Sequence, residues 1–199
     1  MTSIIIPAYN EENVIEACLQ PFVDMAGHGE VEVIVVCNGR TDQTSSIVRS
    51  LSKDFICIET DKASKTNALN MGDELAHSFP RFYLDADVVL QKETVLAVSS
   101  ILENGYLAAA PEVKINLHGS TVFVKAFYDT LFSLPYVRAG MIGAGVYALS
   151  RNGRERFTRF PEIIADDGFV RCLFTESERG LARGYYSIVN APKNLSALS

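Results

Sequence analysis

An α/β fold built on a doubly wound, mainly parallel sheet with helices on both faces is what this sequence predicts, and three observations predict it. Apolar runs of strand length alternate with amphipathic stretches of helix length from the first residues onward. The runs 4–6 and 33–36 are wholly apolar, as strands buried on both faces must be. Each early run then gives way to polar residues at its carboxyl end, the edge where open parallel sheets bind ligands. These are residues 8–11, 38–42 and 61–65, and Asp85 with Asp87.

Taken in order, residues 3–7 are a β-branched run that stops at Pro7 and read as the first strand. Asn10 is expected to cap a helix starting at Glu11, since acids favour a first helical turn. Val14, Ile15, Leu19 and Phe22 mark its apolar face, and Gly27 and Gly29 its end. Residues 31–37 are a second strand, followed by the turn Asn38-Gly39. A helix at 41–52 carries Ile47, Val48 and Leu51 on one side, and 55–58 is a third strand. Ser64 is placed to cap a helix bearing Leu69 and Leu75. A fourth strand at 81–84 ends in Asp85-Ala86-Asp87, and 94–103 is again helical.

The second half is less regular. It reads as a strand at 107–115 and a long helix at 120–134 with Phe123, Phe127, Leu131 and Leu134 along it. Gly143-Ala144-Gly145 leads into a strand at 146–149, a helix follows at 167–174, and a late strand lies at 185–189. With no repeat or linker, the 199 residues are expected to form one domain, with 1–90 and 91–199 as its two halves.

Composition narrows the partners. The chain is 48% hydrophobic, enough for a substantial core, and its net charge of −6 excludes a general nucleic-acid binder. The start MTSIIIPAYN lacks the basic, apolar pattern of a signal peptide, and no run of about 18 apolar residues is present, so a cytoplasmic protein is expected. Cys18, Cys37, Cys57 and Cys172 form no Cys-x-x-Cys pair and read as buried free thiols. His28, His77 and His118 lack metal-ligand spacing.

Two carboxylates two residues apart, Asp85 and Asp87, close a buried strand. At a strand tip they can share a hard divalent cation and leave room for water and phosphate oxygens. The segments SIIIPAYNEEN, VVCNGRTDQT, SKTNALNMG, FYLDADVVL, GAGVYALSR and ADDGFVRCLF run in the order found in family-2 glycosyltransferases, and the resemblance covers nearly the whole chain. It implies a GT-A fold and an inverting, single-displacement transfer of a sugar from a nucleotide-diphosphate donor to an acceptor hydroxyl. It also implies Mg²⁺ or Mn²⁺, with a UDP-sugar favoured as donor and a carbohydrate or lipid-linked acceptor.

Residue by residue, the resemblance places Pro7, Ala8, Tyr9 and Glu11 beside the nucleotide. Asn38 stands where the family often has an aspartate at the base edge; an amide both donates and accepts, and Asn38-Gly39 is equally a tight turn. Lys65 either meets the donor's base or diphosphate or is a solvated lysine at a helix start. Asp85 resembles the residue near ribose and metal, and Asp87 the direct metal ligand. Asp166 and Asp167 match the acidic pair that supplies the catalytic base, Asp167 first and Asp166 as alternate. Asn70 and Gly72 read as packing residues, and Asp42 as a helix-start residue.

Arg151, Arg154, Arg156 and Arg159 form a basic row in an acidic chain: a solvated face or, in the sharper reading, peripheral contact with an anionic membrane at its inner face. The chain ends at APKNLSALS, before a further family motif, so it reads as a compact member or as one lacking an acceptor-side lid. A non-catalytic nucleotide-sugar-binding module and a sugar-phosphate nucleotidyltransferase are the alternatives. The second usually opens on a glycine-rich loop, which Ala8-Tyr9-Asn10-Glu11 is not.

Overall fold

The computed structural model describes residues 1–39, 41–117, 119, 121–133, 145–163 and 165–190. The side chains of Phe123, Phe127 and Leu131, and all of Leu134, Gly143, Ala144 and His118, lie outside that description.

Eight strands form one sheet: β1 (Thr2–Ala8), β2 (Val31–Asn38), β3 (Ile56–Thr60), β4 (Arg81–Leu84), β5 (Val88–Leu90), β6 (Ala108–Asn116), β7 (Val146–Leu149) and β8 (Arg179–Asn190). Their order is β3-β2-β1-β4-β7-β6-β8-β5. The first four strands are parallel, with Ile5 opposite Ile34 and Tyr83. Beyond β4 the sheet is mixed, because β7 runs antiparallel to both β4 and β6. β6 and β8 are parallel, and β5 closes the edge antiparallel to β8.

The helices are α1 (Ile15–Leu19), α2 (Val23–Gly27), α3 (Thr44–Leu51), α4 (Lys65–Leu75), α5 (Lys92–Glu103), α6 (Val122–Ser133), α7 (Arg151–Arg154) and α8 (Asp166–Cys172). Alternation along the strands sends side chains to two cores. Ile4, Ile6, Val33 and Val35 meet Cys18, Leu19, Phe22, Val48, Val95 and Val98 from α1, α3, α5 and the turn after α1. Ile5, Ile34 and Val36 meet Ala68 and Leu69 of α4, Val170 of α8 and the ring of Phe160. The sheet is thus covered on both faces, which explains the unbroken apolar runs of β1 and β2. Gly72 lets α4 lie close on β1, since a Cβ there would sit 2.5 Å from Ile5 Cγ2. Asn70 holds the opposite strap with its amide, donating to the Phe160 carbonyl (3.0 Å) and accepting from the Phe160 N–H (2.8 Å). Both are the packing roles expected of them.

Several elements differ from the sequence expectation. Pro7 does not end β1, which continues to Ala8. Its missing N–H is tolerated because β4 pairs only with Ser3 to Ile5. Asn10 does not cap a helix at Glu11. It sits at φ 55°, α1 begins only at Ile15 without a side-chain cap, and a 3₁₀ turn at Gln20–Phe22 containing Pro21 separates α1 from α2. β8 spans 12 residues rather than the five expected, because a register shift at Pro111/Glu112 lets it continue along β6. The short β5 was not expected. Cys18 and Cys37 are buried, whereas Cys57 is half-buried and Cys172 is exposed at the end of α8. No helix among the described residues is long and apolar enough to cross a membrane.

Candidate functional site

The loops at the carboxyl tips of β1 and β2 are lashed together by side chains. Asn10 Oδ1 accepts from Thr41 N–H (2.8 Å), and Thr44 Oγ1 accepts from Glu11 N–H (2.9 Å). Asp42 accepts from Glu12 N–H (3.1 Å) through one oxygen and from the Thr44 hydroxyl (2.6 Å) through the other. Asp42 therefore starts α3 and ties down the first loop, while the left-handed turn at Asn10 swings Glu11 toward the tip of β4.

At that tip the chain leaves Leu84 in a tight turn, with Val88 N–H donating to the Asp85 carbonyl (3.1 Å) and Asp85 N–H to the Gly145 carbonyl (2.8 Å). Gly145 is required here twice over. Its φ is +63°, and a Cβ would lie 2.3 Å from Val88 Cγ2. Pro7, Tyr9, Glu11, Asn38, Lys65, Asp85, Ala86 and Asp87 line one cavity of about 240 Å³. Ala8, buried in the core beneath, is not on its wall.

A second cavity, of about 230 Å³, shares Lys65 and Asp85 with the first. Its other walls are Tyr83, Tyr147 and the residues at the start of α8, Asp166 and Asp167. The two acids differ. Asp166 is 3% exposed and accepts the Tyr147 hydroxyl (2.9 Å). Asp167 is half-exposed, with its Oδ1 accepting from Gly168 N–H (2.7 Å). Between the cavities the Lys65 ammonium bridges Asp85 Oδ1 (2.6 Å) and Asp166 Oδ1 (2.9 Å).

The electrostatics follow from that crowding. Burial, then the charges of Asp87, Asp85 and Asp42, push the Glu11 carboxyl up to about 7. Burial also holds Asp85 up at about 6, against the pull of Lys65 and with Asp166 and Asp87 adding to the rise. Burial disfavours the charge on Lys65, but Asp85 and Asp166 outweigh it and hold its pKa above the ordinary lysine value. Tyr147 is raised by burial and then by Asp166, so its hydroxyl remains a proton donor to that carboxylate. Tyr128, on α6, is raised by burial and then by Asp87, which places it in the field of the strand-tip carboxylates.

With this geometry in place, the comparisons with known proteins decide the family. Residues 3–136 match the profile described as Glycosyl transferase family 2. The chain belongs to that family. A curated relative, glycosyltransferase AglE of Haloferax volcanii, is 34% identical over 90 residues, which are 43% of this chain and 30% of AglE. Among solved structures, S. aureus TarS 1-349 in complex with UDP-GlcNAc superposes with a TM-score of 0.73 at 19% identity, covering 96% of this chain and 58% of that one. The mannosyltransferase PcManGT from Pyrobaculum calidifontis, in complex with GDP-Man and Mn²⁺, gives 0.70 at 23% identity over 96% of this chain and 57% of that one. Glucosyl-3-phosphoglycerate synthase from Mycobacterium tuberculosis gives 0.67 at 19% identity over 100% of this chain and 74% of that one. The fold is therefore GT-A. The chain spans about a third of AglE and less than two thirds of TarS 1-349 and PcManGT.

Against that family background, Asn38 is a buried brace. With the amide turned so that its nitrogen faces the Ala8 carbonyl, the orientation that satisfies both its atoms, it donates there (3.0 Å) and accepts from Ser64 N–H (3.3 Å), joining the tips of β1 and β2 to the start of α4. An aspartate could not make the first of these bonds. Lys65 lines the first cavity and lies between two acids instead of standing alone in solvent.

Each arginine of the row makes a contact of its own. Arg154 is drawn inward to Asp73 (2.6 Å), Arg156 pairs with Glu178, and Arg159 reaches Glu74 (3.1 Å). Arg151 stacks over Phe79. Sequence reasoning missed Tyr147 and Tyr128. The signal for Tyr147 was a hydroxyl-bearing ring inside an apolar strand, which on burial needs an acceptor.

Proposed function

We propose that this chain transfers a sugar from a nucleotide-diphosphate donor to an acceptor hydroxyl, with inversion and in one displacement. The observation that carries the reading is the pair of adjoining cavities that share Lys65 and Asp85. One is lined by the residues expected to meet the nucleotide, and the other by the acidic pair. The donor occupies the first cavity, with Tyr9, Glu11 and Asn38 on the nucleotide side. A carbohydrate or lipid-linked acceptor enters the second.

The donor set fits a hard divalent cation. Asp85 and Asp87 supply oxygens, their charges help raise Glu11, and a cation would relieve that repulsion. Among the described residues no three His, Cys, Asp or Glu are grouped to hold a metal ion, so the ion's remaining ligands would have to be phosphate and water. Asp87 would hold Mg²⁺ or Mn²⁺ directly with Asp85 beside it, and the bound ion would offset charge on the departing diphosphate.

Asp167 acts as the base. It stands on the cavity wall, while Asp166 is immobilised by Lys65 and Tyr147. A carboxylate there takes the proton from the attacking hydroxyl at its own oxygen. Lys65 fixes Asp85 and Asp166 relative to one another, so donor and acceptor share one rigid reference.

The test is calorimetry with UDP, GDP and other nucleoside diphosphates, with and without Mn²⁺, followed by a donor-hydrolysis assay. Metal-dependent binding with turnover supports the transferase. Binding without turnover favours a nucleotide-sugar-binding module. No metal-dependent binding of any diphosphate would defeat both.

A further inference from the structure

A cavity of about 430 Å³, larger than either site cavity, lies at the other end of the strands. β6 and β4 both run antiparallel to β7, and β8 is parallel to β6. Arg179, the first residue of β8, therefore sits at the sheet edge opposite Asp85. Arg179 and Arg183 line the cavity with Glu176, and the remaining wall is Tyr106, Ile101 and Leu181 over bare backbone at Gly180. That floor admits no side chain, because a Cβ on Gly180 would lie 2.2 Å from Ile101 Cγ2 and 3.4 Å from the Tyr106 ring.

The guanidinium groups here are short of acceptors. Arg179 Nε donates to the Thr175 carbonyl (3.3 Å), yet Arg179 Nη1 and Arg171 Nε are buried with no acceptor among the described residues. Buried donors of this kind are rare and costly. The nearby acid Glu178 is taken by Arg156. Burial, followed by the field of Arg171, lowers the Arg179 pKa, and Glu176 only partly offsets them. In a chain of net charge −6 this cleft sets two guanidinium groups, Arg179 and Arg183, against one carboxylate, Glu176. Its volume is that of a small-molecule site.

We propose that this cavity binds a small organic phosphate monoester, its oxyanion on Arg179 and Arg183 and its apolar or ring portion against Tyr106, Ile101 and Leu181. Guanidinium forks suit phosphate oxygens, and the mixed wall suits a ligand with one charged end. The site is independent of the strand-tip carboxylates and needs no metal.

The test is calorimetry in EDTA, which removes metal-dependent donor binding, with phenyl phosphate, inorganic phosphate and phenol as probes. Phenyl phosphate is expected to bind one per chain, about tenfold tighter than inorganic phosphate because the ring is buried, and phenol not measurably. Arg179→Gln and Arg183→Gln should each weaken phenyl phosphate by about tenfold or more. Arg183 is exposed, so its variant tests the proposal even if Arg179→Gln fails to fold. Unchanged affinity in Arg183→Gln, or weak and equal binding of both phosphates (an adventitious ion only), overturns it.

Discussion

The cavities on either side of Lys65 are built differently. The cavity lined by Glu11 and Asp87 rests on the tips of parallel strands, and its carboxylates act on one another; Asp87 is exposed and Glu11 is pushed up to about 7 by burial and by its neighbours. The cavity lined by Asp166 and Asp167 is framed by an antiparallel strand and a seven-residue helix, and its acids are separated by environment. Asp166 is buried between a lysine and a tyrosine, and its neighbour Asp167 is half-exposed. On the proposed reading the first arrangement would receive a cation, and the second would divide labour between adjacent carboxylates, one fixed and one reactive.

The sharpest way to break this contrast is Asp167→Asn. Transfer should fall by about 10² to 10⁴-fold, the range for loss of a general base, while Mn²⁺-dependent nucleotide binding is unchanged by calorimetry. If Asp167→Asn keeps its rate and Asp166→Asn loses it, the division of labour is reversed. Next in size, Asp87→Ala should weaken Mn²⁺-dependent nucleotide binding by about 100-fold or more, since even an outer partner of a metal ligand is worth about 10 to 100-fold. Full metal-dependent binding in that variant would remove the strand tip from the donor site.

The same two regions differ in how far the sequence announces them. β1, β2 and β4 were readable because strands buried on both faces must be apolar and because their polar tips follow at once. The residues expected beside a nucleotide, Ala8 excepted, accordingly line one cavity, although no side-chain contact was legible. On the acceptor side, the run at 166–172 was recognisable, but nothing local says that Tyr147 meets Asp166 across 19 residues or that Lys65 reaches it across about a hundred. Such contacts are decided by strand order and helix packing. β5 was too short for periodicity to register, and β8 was foreseen only in its second half because residues 179–184 include Gly180, Arg183 and Gly184, which break an apolar pattern. The arginine row looked like a surface patch because Asp73, the partner of Arg154, lies 81 residues away.

Asp73 separates the two cavities' chemistry from the scaffold behind them. It is 7% exposed and accepts from Arg81 (2.7 Å), Arg154 (2.8 Å) and the Tyr83 hydroxyl (2.6 Å). Burial raises its carboxyl, but Arg154, Tyr83 and Arg81 outweigh that and leave its pKa below the ordinary aspartate value. A depressed folded pKa stabilises fully above the unfolded value of about 3.9, and that stability is lost as pH falls through the folded pKa. Asp73→Asn should therefore lower stability by about 2 to 3 kcal/mol between roughly pH 5 and 7. The gap in urea midpoints from the wild type should close as pH falls below about 4. A gap that stays constant down to pH 2 would show that Asp73 contributes packing and not charge.

The smallest expected effect is the most selective. Tyr83 and Tyr147 stack with centroids 5.1 Å apart and ring planes 26° from parallel, yet their hydroxyls serve different acids. That of Tyr83 donates to Asp73 in the scaffold, and that of Tyr147 to Asp166 at the cavity. Either Tyr→Phe change keeps the stack and removes one buried bond to a carboxylate, so both should cost about 1 to 2 kcal/mol of stability. Only Tyr147→Phe leaves Asp166 held by Lys65 alone, and the lysine is then drawn away from Asp85. It should lower kcat by about tenfold with little change in acceptor KM, whereas Tyr83→Phe leaves both near wild type. Equal losses of kcat in the two variants would mean that the tyrosines act only through stability, and that Asp166 needs no help in keeping the two cavities in register.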